Sequence, residues 1–411
     1  MRLPRKVFIS LRSYLRAVTS SAMEKIYGIV YNALLAYGEL GIALGVIILL
    51  LFVVQLIFHL GIYGRVASFR ITSRKKIRDE EPPISVVVAM FSEDMDYLDD
   101  GLMQLLEQDY TNYEVVVVYV GDNDDFFAEL NSITRVAPHL TPVRIRTKPN
   151  MPVKRKIAIN LGIKCAKNDF ILMTTVDAKP SSSRWLSLLA KGFLYGDIVL
   201  GYSGIAYKPG FDNFVLREYR LSNSISWLSA AIRRKTYSAS HSAFGFIKEA
   251  YLGVRGFEYL NMNAGEDDLF VQQIATKDNV SVVLAPNASC FERTWGGWRW
   301  WIKEMSLLRL THRYYPRLTL APMFIEQVSR VLFFACALIA FALMPWEYCV
   351  AVGVVLFLRY FAVMFSAIRI WRRLGESHLV AQHFIYDIIE PFVRLYVILS
   401  SHKISKNAWR V

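Results

Sequence analysis

Only four cysteines, Cys165, Cys290, Cys336 and Cys349, occur in 411 residues, and they have neither metal-ligand spacing nor a secreted disulfide pattern around them. That scarcity excludes a disulfide-stapled extracellular domain and leaves ordinary buried thiols in a reducing compartment. There is no internal repeat and no low-complexity segment, which excludes a stacked-repeat architecture. Acidic residues are the scarcer charge: 35 Asp and Glu against 48 Lys and Arg leave a net +13. A surplus of that size can serve nucleic acid, but here the basic residues collect beside apolar segments and form no DNA-binding motif. Anionic lipid headgroups account for them, so membrane lipids are expected partners and nucleic acid is not.

What the chain has in quantity is apolar sequence, 54% of residues with a mean hydropathy of +0.28. The excess is concentrated in a few runs, as in a membrane protein. Residues 42–60 carry no charge, enough for one helical crossing of about 30 Å of hydrocarbon. We assign a transmembrane helix to 40–64 and two more to 321–345 and 346–370, turning at Pro345-Trp346-Glu347. Residues 384–399 are interrupted by Asp387, Glu390, Pro391 and Arg394. Charge is costly at bilayer depth, so 371–411 is expected to be an interfacial or re-entrant helix and a tail.

Lys and Arg flanking these runs set the expected orientation. Arg65, Arg70, Arg74, Lys75, Lys76 and Arg78 follow the first helix, Arg313, Arg317 and Arg330 border the second, and Arg372 and Arg373 follow the third. All place the middle domain and C-terminus in the cytoplasm, at a bacterial-type inner membrane. The tail 1–39, with Arg2, Arg5, Lys6, Arg12 and Arg16, argues the other way. Translation from Met23 resolves the conflict, and a native peptide beginning upstream of Met23 would contradict it. The first helix has no cleavage pattern of an ordinary signal peptide and is expected to stay as an anchor.

After the basic linker 65–83, strand and helix patterns alternate. Residues 84–90, 113–120, 143–145 and 170–174 read as strands, and 97–107, 124–133 and 156–166 as helices. Such alternation predicts an α/β fold with a mostly parallel sheet covered by helices on both faces. Ligands then sit at the carboxyl ends of the strands, where 120–125 and 175–177 fall. Ser181-Ser182-Ser183 before Trp185 offers a helix N-cap.

Several motifs occur in a telling order. Leu106-Glu107-Gln108-Asp109-Tyr110 leads into the second strand, Lys156-Ile157-Ala158-Ile159-Asn160 opens a basic helix, and Val176-Asp177 precedes Pro180. Gly265-Glu266-Asp267-Asp268-Leu269-Phe270 follows, and then Trp295, Trp298, Trp300 and Trp301. From about residue 84 to 315 the chain resembles family-2 glycosyltransferases of the GT-A fold, distant relatives of cellulose and hyaluronan synthases. The resemblance implies a glycosyltransferase-like domain over 84–293 and an amphipathic interfacial region over 294–320.

It also implies roles. Asp267 would be the general base for the acceptor hydroxyl, with Asp268 and Glu266 as the alternatives, and a helix-capping role for the acidic trio stays open. Asp177 would hold a divalent cation, Mg²⁺ or Mn²⁺. Asp122 and Lys156 would meet the nucleotide, and Trp301, His241 and Arg309 the substrate. Three positions depart from the family pattern: Val120 and Thr175 stand where Asp is usual, and Ala243 stands in place of an Asn. The expected function is inverting transfer from a nucleotide sugar, UDP-linked, to a glycan or lipid-linked acceptor. The alternative is a weakened relative that binds glycan, nucleotide or a partner glycosyltransferase.

Overall fold

The protein was analysed as a computed structural model, which describes residues 28, 37–147, 153–258, 260, 265–294, 298–376 and 383–400. The basic N-terminal tail with Met23, and Trp295, lie outside the described residues.

Ten strands can be followed: β1 (Ile84–Met90), β2 (Tyr113–Val120), β3 (Leu140–Ile145), β4 (Phe170–Thr175), β5 (Ala178–Pro180), β6 (Ile198–Leu200), β7 (Ser203–Ile205), β8 (Phe244–Ile247), β9 (Val280–Val282) and β10 (Cys290–Glu292). Seven form one sheet in the order β3-β2-β1-β4-β8-β6-β9. The first four run parallel, and β8 runs antiparallel to both β4 and β6. Val86, Val88, Val115 and Val117 face one core, whereas Val87, Val116 and Val118 face the other. Both faces are therefore covered, which is why these strands read as unbroken apolar runs. The helix Arg155–Cys165 lies close on this sheet because Gly162 permits it: a Cβ there would stand 2.5 Å from Val87 Cγ1.

A smaller sheet, β5-β10-β7, lies beyond the carboxyl end of β4. Its β10 is antiparallel to β5 and parallel to β7. The N-cap expected from Ser181 to Ser183 is not there. Arg184 occupies the cap of the helix Trp185–Ala190 without a side-chain hydrogen bond. The Ser181 and Ser182 hydroxyls instead donate to the carbonyls of Pro286, Ser289 and Asn287, tying β5 to the turn before β10.

Among the described residues three helices, Tyr37–Ser68, Arg317–Leu343 and Trp346–Leu374, are long and apolar enough to cross a membrane. The chain divides into two compact units, 1–57 with 326–361, and 58–325 with 362–411. In the first, Leu44, Ile48, Phe333, Ala337, Ala340 and Val352 form the core. Its buried polar groups answer one another: Gln55 donates to Ser329 Oγ at 2.8 Å and accepts from Arg359 at 3.0 Å. The second unit contains both sheets and the helix His383–Ser400, whose Tyr386, Val393 and Val397 join the main core.

Candidate active site

The carboxyl end of β4 sets the position of Asp177. The chain turns there into β5, and the Asp177 carbonyl accepts from the Arg293 N–H at 2.8 Å, next to the end of β10. Thr175, the last residue of β4, is buried, and its hydroxyl lies 3.0 Å from Ser242 Oγ. Ser242 in turn donates to Glu292 Oε1 at 2.6 Å.

Glu292 is the hub of this network. Its side chain also accepts from Ser203 on β7 and from Arg220 at 2.9 Å, on the helix Phe211–Ile232. Burial pushes its pKa up, but the Arg220 guanidinium, His241 and the two serine hydroxyls outweigh burial and hold it at about 2. The sequence reading missed Glu292 because a lone Glu beside Arg293 carries no motif. Its one signal is position, at the end of a short strand two residues after the buried Cys290.

From Glu292 the connection runs to the acidic trio through His241. The imidazole lies between two carboxylates, Nε2 3.6 Å from Glu292 Oε1 and Nδ1 3.4 Å from Asp267 Oδ2. Gly265, at φ +109°, makes the turn that starts the helix Asp268–Ile274, a conformation L side chains rarely adopt. Asp267 is the N-cap, its Oδ1 accepting from the Asp268 N–H at 2.9 Å. The capping role and the approach to His241 therefore use different oxygens of one carboxylate. Glu266, buried, has its Oε1 3.4 Å from Arg155 Nε.

Asp268 is in a different environment. It is buried, and its Oδ2 accepts from the hydroxyls of Thr311 and Tyr315. Burial, with the adjacent charge of Asp267, raises its pKa to about 7 despite those two donors.

Residues 85–251 match the sequence profile of Glycosyl transferase family 2. The middle domain has a GT-A-like sheet and is similar over these residues to family-2 glycosyltransferases. A mannosyltransferase from Pyrobaculum calidifontis, PcManGT, solved in complex with GDP-Man and Mn²⁺, is similar at 15% identity over 84% of this chain and 99% of that chain, with a TM-score of 0.49. S. aureus TarS is similar at 17% identity over 56% of this chain and 39% of that chain, with a TM-score of 0.37. TarS 1–349 in complex with UDP is 16% identical over 61% and 65%, with a TM-score of 0.36. No curated protein matches the chain in sequence.

The other expected site residues of this domain are placed as follows. Asp122 is exposed after β2 and accepts from the Thr147 N–H at 3.0 Å and from the Thr147 hydroxyl, which ties the ends of β2 and β3 together. Beside it is a residue that sequence reading passed over. Glu93, beyond β1, accepts from Tyr119 at 3.0 Å and from Asn123 at 2.8 Å, so it spans the β1 and β2 ends. Lys156 donates to the Leu260 carbonyl, and burial lowers its pKa. Trp301 is 1% exposed. Its ring packs edge-on to Tyr219 at 5.0 Å and against Trp298 at 4.6 Å, so in this conformation it presents no face to a sugar. Arg309, partly buried, lies on the helix Trp298–His312 with Trp301. Among the described residues no three or more His, Cys, Asp or Glu side chains come together to hold a metal ion.

Proposed function

We propose that this protein is an inverting glycosyltransferase that moves a sugar from a UDP-sugar to a glycan or lipid-linked acceptor at the cytoplasmic face of the membrane. The observation that carries the reading is the continuous chain of contacts from Asp177 through Arg293, Glu292 and His241 to Asp267. It brings the backbone of Asp177, through the Arg293 N–H and its chain neighbour Glu292, into the same network as the Asp267 carboxylate.

In this reading Asp267 accepts the proton of the acceptor hydroxyl as that oxygen bonds to the anomeric carbon and the carbon–oxygen bond to the nucleoside diphosphate breaks. His241 positions the Asp267 carboxylate. Asp268, whose pKa is raised to about 7, is kept out of the base role by its burial and its two hydroxyl partners. The divalent cation is assigned to Asp177, whose hard oxygen suits Mg²⁺ or Mn²⁺, in company with the donor's own phosphates. When bound, such a cation neutralises charge on the diphosphate leaving group.

Asp267→Asn tests the reading. Sugar transfer by the detergent-solubilised protein is expected to fall by about 10²–10⁴-fold, the usual worth of a general base, with UDP-sugar affinity unchanged. Transfer at the wild-type rate in that variant would remove Asp267 from the mechanism. A second reading, a weakened relative that binds without transferring, is favoured by one observation: the Thr175 hydroxyl is committed to Ser242, where the family places a second carboxylate. Nucleotide binding without transfer to any acceptor would select it.

A further inference from the structure

A cavity of about 330 Å³ lies beside the described ends of two membrane-length helices. Phe58 and Ile62 of the helix Tyr37–Ser68 line it, with Leu318, Pro322 and Met323 of the helix Arg317–Leu343. Its other lining includes Ser226, Ser229, Arg233, Lys235 and Thr236. No carboxylate is among the described residues lining it. Two cations and several hydroxyls thus share one small space with hydrocarbon side chains.

The backbone builds the polar part deliberately. The helix Phe211–Ile232 ends at Arg233, and Arg234 takes a left-handed conformation, φ 62°, which is costly for a residue with a side chain. The Lys235 N–H then returns to the Ala230 carbonyl at 2.9 Å, which carries Lys235 and Thr236 into the lining. Thr236 Oγ1 is buried without a hydrogen-bond partner among the described residues. Burial, reinforced by the neighbouring Arg65, lowers the Arg233 pKa. An anion at this place would relieve that charge crowding, and the guanidinium fork matches phosphate geometry.

We propose that this cavity binds the phosphate end of an amphiphile, with the first carbons of its chain against Phe58, Ile62, Leu318 and Met323. The volume is at the small end of ligand pockets, about 300–1,000 Å³, which suits a head group and a short length of chain. The cavity also leads towards the acidic trio. Its Tyr237 ring lies 5.7 Å from that of Tyr315, whose hydroxyl donates to Asp268 at 2.6 Å. On the transferase reading the amphiphile is the acceptor: a phosphate oxygen bonds to the anomeric carbon as the carbon–oxygen bond to the nucleoside diphosphate breaks. The nucleoside diphosphate leaves, and a remaining phosphate O–H proton passes to Asp267. The binding itself does not rest on that reading.

The test uses the full chain in a nonionic detergent, titrated with dodecyl phosphate, dodecanol and inorganic phosphate. Dodecyl phosphate is expected to bind at least tenfold more tightly than either of the others. Arg233→Gln with Lys235→Gln is expected to weaken it at least tenfold while UDP-sugar affinity stays the same, and Thr236→Val serves in its place if the double variant does not fold. Equal binding of dodecanol, equal binding of inorganic phosphate, or unaltered affinity in the folded variants would each overturn the proposal. Phosphate-dependent binding with no sugar transferred to the amphiphile would uphold the site and remove the acceptor role. Transfer to some other acceptor by a protein that binds no dodecyl phosphate would remove the site and leave the transferase reading standing.

Discussion

Asp267 and Asp268 are adjacent in sequence and differ in what surrounds each carboxylate. Asp267 caps a helix and faces a histidine, whereas Asp268 is enclosed with two hydroxyls. The difference has a consequence for stability. Asp268 has a folded pKa of about 7 against an ordinary 3.8, so its contribution is fully present below about pH 4 and is lost as pH rises towards 7. Asp268→Asn keeps an acceptor for Thr311 and Tyr315 and removes the titration. Denaturation curves collected between about pH 4 and pH 8 should therefore be flatter in the variant than in the wild type, and identical slopes would refute the assignment. Glu292 works with the opposite sign: its pKa is depressed from 4.5 to about 2, so its stabilisation is present above pH 4.5 and is lost as pH falls through about 2. Glu292→Gln should accordingly reduce resistance to acid unfolding, measured as a rise in the pH of the acid transition's midpoint at low pH.

The helix His383–Ser400 shows at the level of an element how charges that interrupt an apolar run are accommodated. Glu390 and Arg394 break its apolar pattern in sequence, yet they pair at 2.6 Å inside the unit, where Ser222 and Asn223 complete their hydrogen bonds. Its outer face carries Phe392, Leu395 and Leu399, all exposed. Removing one partner of such a pair leaves a buried charge without compensation. Arg394→Ala should cost about 3–5 kcal/mol, whereas Glu390→Leu with Arg394→Met should come close to wild-type stability, as a double-mutant cycle in urea would measure. Strands β1 and β2 were legible because each is a continuous Val-rich run whose two faces are both buried, and they begin and end at the residues the pattern marks. The antiparallel direction of β8 and the sheet β5-β10-β7 were not legible. Three- and four-residue strands have too little pattern to distinguish from turns. For the same reason the site was half visible. Asp177 and the acidic trio lie in recognisable motifs, whereas Glu292 and Glu93 gain their positions only when the strand ends come together.

At the scale of the whole molecule, three membrane-length helices among the described residues accompany a domain similar to family-2 glycosyltransferases. Cytoplasmic exposure of that domain is our expectation from the basic residues beside the helices, and Cys165 offers a direct check because it is exposed while Cys290 is buried. A membrane-impermeant maleimide should label Cys165 in vesicles that present the cytoplasmic face and leave it unlabelled in vesicles of the opposite sidedness. The reverse pattern would invert the topology and place the site away from cytoplasmic nucleotide sugars.

The central claim, that the sheet's carboxyl edge receives a nucleotide sugar, is tested most directly by calorimetry of UDP and a small set of UDP-sugars against the detergent-purified chain, with and without Mn²⁺. The account predicts binding that Mn²⁺ strengthens and that Asp177→Ala weakens by roughly tenfold or more, about 1.4 kcal/mol. Folded protein that binds neither UDP nor any UDP-sugar, with or without the cation, would contradict it.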